Sequence, residues 1–127
     1  MAVWRQFNNN PTGRNAGDCA VRAVSVALDT DWETAYALIA MNGFLMGDVI
    51  SSNSVFGSVL RQHGFSRYAI PNTCPDCYSI NDFADENPHG VYVVGTGNHV
   101  VTIRDGVIWD AWDSRNEPAI FYWHKEE

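Results

Sequence analysis

The chain has 127 residues, 46% of them hydrophobic and 13% aromatic, which is length enough for one domain with a core and too little for two. Charged residues make up only 18%, and aromatics are spread along the whole length, so the composition is not that of a disordered chain. The formal charge is -7 and the basic residues are scattered singly, which argues against nucleic acid and against anionic membrane as partners.

The opening stretch Met1 to Asn10 has no apolar run of signal-peptide length, and no segment approaches a membrane span, so a cytoplasmic protein is expected. From Phe7 to Asp18, a run of Asn with Pro11, Gly13 and Gly17 predicts a loop. A buried helix then starts at Cys19, with Ala20, Val21, Val24, Ala27 and Leu28 on one face, Ala23 and Val26 on the other, and Asp18 as N-cap. Thr30 and Glu33 read as a capping box opening a second helix, whose Trp32, Ala35, Tyr36 and Ile39 face inward before Asn42-Gly43 ends it. A third helix is expected from Ser54 to Gln62, with Gly64 past its end. Arg67 to Ile70 reads as a short strand, and Ile80 to Asp85 as a helical turn capped by Ser79. Val91 to Val94, His99 to Ile103, Val107 to Trp112 and Ile120 to Trp123 are four further strands. Helices first and a mainly antiparallel sheet second is an α+β arrangement, in one domain over 1–127.

Cys19 stands where a glycine-containing loop becomes a helix, so its thiol lies near unpaired backbone N–H groups that favour the thiolate. The negative charge of Asp18 opposes that ionisation, so a base is needed. Taken alone, Cys19 reads better as a small apolar residue packing the helix start than as a nucleophile, and a histidine has to shift that balance. Among the histidines, His63, His89 and His124 occupy ordinary solvated positions, whereas His99 opens a strand. Asp105-Gly106 is a two-residue hairpin turn, so the register follows: Arg104 pairs with Val107, Val101 opposes Asp110, and His99 opposes Trp112. His99, Asp110 and Trp112 then share one face, where Asp110 can hold the ring of His99 toward a thiol while Trp112 shields that bond from water. Asp113 has the opposite parity.

Together these features resemble papain-like cysteine peptidases and hydrolases, with Asp110-Ala111-Trp112 similar to the Asn-Ser-Trp that carries the papain-type orienter. More closely, Phe7-Asn-Asn-Asn-Pro-Thr-Gly, Gly17-Asp-Cys-Ala-Val-Arg-Ala, Cys74-Pro-Asp-Cys-Tyr and Asp110-Ala-Trp-Asp-Ser resemble a family of small phage-encoded papain-like proteins. The resemblance implies a papain-like fold and a cysteine hydrolase and brings no substrate with it; the bond expected to be cleaved is an amide, peptide or isopeptide bond of a host peptide, protein or small amide. The triad is Cys19, His99 and Asp110, working through an acyl-enzyme in the host cytoplasm; deamidation or acyl transfer would use the same groups. Papain-type enzymes carry an oxyanion-hole Gln six residues before the cysteine, where this chain has Gly13. Asn8, Asn10, Asn15 and Gln6 are the available replacements, with Asn10 preferred, although the Asn run is also ordinary turn chemistry. The alternative is a non-catalytic papain-like phage protein that grips a host factor or a small molecule.

Cys74-Pro-Asp-Cys77 has the spacing of half a zinc site, but no second C-x-x-C or H-x-x-x-H completes it. A turn with two packed thiols, or a reversible disulfide, is the leading reading, and no metal or other cofactor is expected. Arg22, one turn after Cys19, is either the ion-pair partner of Asp113 or Asp18 or a clamp for a substrate carboxylate.

Overall fold

The computed structural model describes residues 1–14 and 16–125. Ten elements follow one another: β1 (Val3–Gln6), α1 (Cys19–Ala27), α2 (Trp32–Met46), α3 (Asn53–Gln62), β2 (Phe65–Ala69), α4 (Ile80–Glu86), β3 (Val91–Gly95), β4 (Val100–Arg104), β5 (Val107–Asp110) and β6 (Phe121–Lys125). The strands form one mixed sheet in the order β1-β5-β4-β3-β6-β2. Every neighbouring pair is antiparallel except β1 with β5, so the fold is α+β.

Side chains alternate across a strand, and here the alternation separates two apolar clusters. Val93, Val100, Phe121 and Trp123 join Val24, Ile39, Phe56 and Leu60 of α1 to α3, whereas Val94, Val101, Ile103 and Ile108 join Ile80 and Phe83 of α4. Thr102, fully buried, donates its hydroxyl to the Ala23 carbonyl and so ties β4 directly to α1. The β4–β5 hairpin closes through Asp105 and Gly106, both at positive φ, the conformation that a two-residue primed turn requires. Its observed register, Arg104 with Val107, Ile103 with Ile108 and Thr102 with Trp109, is the one the turn predicts, but β5 ends at Asp110 and the chain bends at Ala111 and Trp112, so the expected strand to Trp112 and its pairing with His99 do not form. Gly95 pairs with Phe121, and a Cβ at Gly95 would fall inside the Phe121 ring. Only glycine fits there, and the chain bends directly after it into Thr96 and His99.

Several expectations need correction. The second helix is capped by Asp31, which accepts from the Thr34 N–H at 2.7 Å, and not by Thr30 with Glu33. It runs past Asn42-Gly43 to Met46 and ends at Gly47, which takes the left-handed conformation a helix stop needs. Gly43 stays helical because α2 packs there against the following loop: a Cβ on it would lie 3.1 Å from the Asp48 carbonyl oxygen. Ala35 and Ile39 are buried as expected, but Tyr36 is exposed and Trp32 only partly covered. β1 has no counterpart among the expected strands. The first sheet residue near the middle of the chain is Phe65, two positions before Arg67. No helix of the described residues is long and apolar enough to cross a membrane.

Candidate active site

α1 opens at Cys19, after Gly17 at positive φ has turned the loop. First-turn N–H groups have no acceptor within a helix, so the thiol sits at the electropositive end of α1. Asp18 occupies the N-cap position but makes no capping bond with its side chain. Its carboxylate turns inward instead, to Arg22 Nη1 at 3.0 Å, Trp32 Nε1 at 2.8 Å and Asn10 Nδ2 at 3.2 Å. Burial alone would raise its pKa, but hydrogen bonds from Trp32 and Asn10 and the charge of Arg22 hold it below the usual carboxylate range. The anion that seemed to oppose Cys19 is therefore already paired.

His99 immediately precedes β4, and its carbonyl accepts from the Thr96 N–H at 2.8 Å, which closes the bend after Gly95. Its Nε2 meets Asp110 Oδ2 at 2.6 Å in the interior. That bond uses Nε2 and leaves Nδ1 as the ring nitrogen for another partner. The tilted Trp112 ring lies 4.8 Å from the imidazole, centroid to centroid, and covers it from the solvent side.

Asp110 ends β5 with every acceptor position of its carboxylate used. Ser114 Oγ donates to Oδ2 at 2.7 Å, and the Ala111 N–H at 2.8 Å and Arg22 Nη2 at 3.4 Å reach Oδ1. Its backbone carbonyl takes the Phe7 N–H at 2.7 Å and Trp4 Nε1 at 3.3 Å, so the edge strand β1 clamps the residue from the other side. Asp113, by contrast, is exposed and paired with Arg115 at 2.7 Å. Arg22 accordingly pairs with Asp18, as one reading had it, and with Asp110 rather than Asp113.

The electrostatics follow from these contacts. Burial pushes the Cys19 thiol up, but hydrogen bonding to His99 and to the Val100 N–H, together with the charges of His99 and Arg22, brings its pKa below that of an ordinary thiol. Burial likewise favours neutral His99, and the hydrogen bonds and charges of Asp110 and Cys19 outweigh it, raising its pKa to about 9. Both shifts run in the same direction, toward a thiolate beside an imidazolium and away from the neutral pair.

Cys19 opens onto a cleft of about 510 Å³ whose walls include Asn10, Arg14, Trp32, Tyr36, Ile50 and Asn98. Trp32 and Tyr36 stack at 5.1 Å and form an aromatic side to it. Asn10 is a wall residue whose Oδ1 accepts from Thr12 while its Nδ2 donates to Asp18. Gln6 donates to the Ala111 carbonyl and Asn8 to the Gly13 and Arg14 carbonyls, and neither lines the cleft. Asn15 lies outside the described residues. The structure thus brings Cys19, His99, Asp110 and Trp112 together, with Asn10 on the rim. Two contributors escaped the sequence reading: Ser114, four residues after Asp110, and the second arm of Arg22.

Cys74 and Cys77 are joined as a disulfide and line a different cleft with Ile70, Tyr78 and Ala119. Among the described residues no cluster of three or more His, Cys, Asp or Glu side chains is placed to hold a metal ion. A bridge closing so short a loop contributes at most about 2 kcal/mol of chain entropy. Replacing both cysteines by serine is expected to lower stability by no more than that in chemical denaturation and to leave Cys19 alkylation rates unchanged. Loss of Cys19 reactivity in this variant would contradict the separation of the two sites.

No family model, no curated protein and no solved structure matches the chain, so its function has to be argued from the site itself.

Proposed function

We propose that the chain is a papain-like cysteine hydrolase acting on an amide, peptide or isopeptide bond, with Cys19 as nucleophile, His99 as proton carrier and Asp110 as its orienter. The observation that carries this reading is the 2.6 Å bond from His99 Nε2 to a buried carboxylate, on a ring that also interacts with a thiol at a helix start. Cys19 Sγ attacks the carbonyl carbon and its electron pair moves to oxygen. Collapse of that intermediate expels the amine, which takes its proton from His99 and leaves a thioester on Cys19. Water then gives a proton to His99 and attacks the thioester, releasing the acid and restoring the thiolate. Throughout, Asp110 keeps the imidazole in one tautomer and one orientation.

The oxyanion needs two donors. One is the Cys19 backbone N–H in the first turn of α1. One hydrogen of Asn10 Nδ2 goes to Asp18, which leaves the second as the side-chain donor. The stacked Trp32 and Tyr36 suit an apolar or aromatic group on the substrate. A host-cell amide processed in the cytoplasm is in keeping with the resemblance to phage-encoded proteins.

The reading is tested by incubating the protein with short peptide anilides, glutaminyl and asparaginyl amides and a peptidyl vinyl sulfone, followed by intact mass. A single adduct on Cys19, absent from Cys19→Ala, with turnover of at least one amide class, is expected. Binding without an adduct or turnover would favour a second reading, a non-catalytic protein that grips a host factor or small molecule. That reading draws on Gly13, which offers no side-chain donor six residues before Cys19.

A further inference from the structure

A carboxylate is an awkward choice of orienter for a thiolate. It steadies the imidazolium, but it also adds a second negative charge to the site, which a neutral amide would not. In this site Asp18 brings a third. With Cys19 ionised, three anions would face the single positive charge of His99 in an interior where Asp18 is 8% and Asp110 1% exposed. Buried charges in such an imbalance neutralise themselves by taking up protons.

Arg22 is the group that prevents this. It is 4% exposed, and its two terminal nitrogens divide between the carboxylates, Nη1 to Asp18 at 3.0 Å and Nη2 to Asp110 at 3.4 Å. The planar fork of a guanidinium can bridge two acceptors in this way, whereas a single ammonium cannot hold both geometries. The position is also dictated by the helix: Arg22 lies one turn after Asp18, and α1 packs across β4, so the side chain that leaves the helix start arrives at the end of β5. Of the other cations, Arg14 lines the cleft beside Asp18 and Cys19 but is exposed, so solvent screens its charge, while two more are committed elsewhere. Arg115 is held by Asp113, and Arg104 donates to the Val26 carbonyl.

We propose that Arg22 is a positioning residue that balances the charge of Asp18 and Asp110, so that an aspartate can orient His99 while Cys19 remains a thiolate. The proposal rests on the catalytic reading above and adds to it a partner for the orienter. It makes a demand that a merely structural ion pair does not. Removing the cation should harm the thiolate, and removing the orienter's negative charge as well should restore it, because Arg22→Gln with Asp110→Asn loses one charge of each sign.

The test is the acid limb of Cys19 alkylation by iodoacetamide, followed by intact mass in wild type, Arg22→Gln, Arg22→Lys and the Arg22→Gln/Asp110→Asn double variant. Arg22→Gln is expected to move the midpoint up by about one pH unit or more, the usual effect of removing a nearby opposite charge. The double variant is expected to return at least half of that shift, and Arg22→Lys to fall between wild type and Arg22→Gln. Should Arg22→Gln fail to fold, the double variant, which leaves fewer unbalanced charges buried, is compared directly with wild type. A midpoint within about half a unit then supports the proposal, and any larger displacement overturns it. An unshifted midpoint in folded Arg22→Gln, or a shift that Asp110→Asn leaves untouched, also overturns it, while a wild-type midpoint that stays low and depends on His99 keeps the catalytic reading standing. A wild-type Cys19 that titrates as an ordinary thiol removes both.

Discussion

Asp110→Ala is expected to lower kcat/KM by about a hundred- to ten-thousand-fold, the range found when a proton carrier loses the group that fixes its tautomer. The side chain is buried and its carboxylate holds His99, Ser114 and Arg22 at once. Its truncation therefore also leaves buried donors without an acceptor, at a cost to stability of about 1–3 kcal/mol. Activity and thermal unfolding should be measured side by side, so that the loss of rate is read on the folded fraction. Asp113→Ala is the matched control. Its carboxylate is exposed and bonded only to Arg115, so activity within about threefold of wild type is expected, since surface pairs of this kind contribute little. A larger loss from Asp113→Ala than from Asp110→Ala would mean that the wrong carboxylate has been assigned.

The second large effect is on pH dependence. In the proposed mechanism Cys19 attacks as the thiolate and His99 releases the amine as the imidazolium, so kcat/KM should rise through the lowered pKa of Cys19 and fall as His99 loses its proton near about 9. The sign follows from the contacts. Asp110 stabilises the charged ring and moves the alkaline limb up, so Asp110→Asn, which keeps the shape and removes the charge, should bring that limb back toward 6.5. An alkaline limb that stays near 9 in Asp110→Asn would show that the imidazolium owes its stability to something other than this carboxylate.

The His99–Asp110 pairing was legible in the sequence because the two-residue Asp105-Gly106 turn leaves the hairpin no freedom of register, and no bulge intervenes before Asp110. The start of α1 at Cys19 was legible too, since the change from Gly17 to an apolar run is abrupt. β1 was not. It is four residues long, lies at the sheet edge with most of its side chains exposed, and pairs in parallel with a strand more than a hundred residues away, so neither alternation nor a turn announces it. Yet β1 and the residues beside it secure Asp110 through the Trp4 indole and the Phe7 N–H. The end of α2 was misplaced for a related reason: Gly43 looks like a stop, but tertiary packing against the Asp48 carbonyl calls for a residue without a side chain inside the helix. Arg22 showed in sequence only that a buried cation needs a partner. Which carboxylates it reaches depends on how α1 crosses the sheet, and that is a property of the packed structure.

The central claim, that His99 activates Cys19, is tested most directly by the pH dependence of Cys19 alkylation in wild type and in His99→Ala, with each adduct located by peptide mass. A free thiol titrates near 8.5, and one beside an imidazolium at a helix start falls to about 4. Wild-type Cys19 should label rapidly at pH 6, with a midpoint well below neutrality. His99→Ala takes away the nearest positive charge and should move the midpoint up toward 8.5. Slow labelling of folded wild type at every pH, with no change in His99→Ala, would contradict the account and leave Cys19 a packing residue.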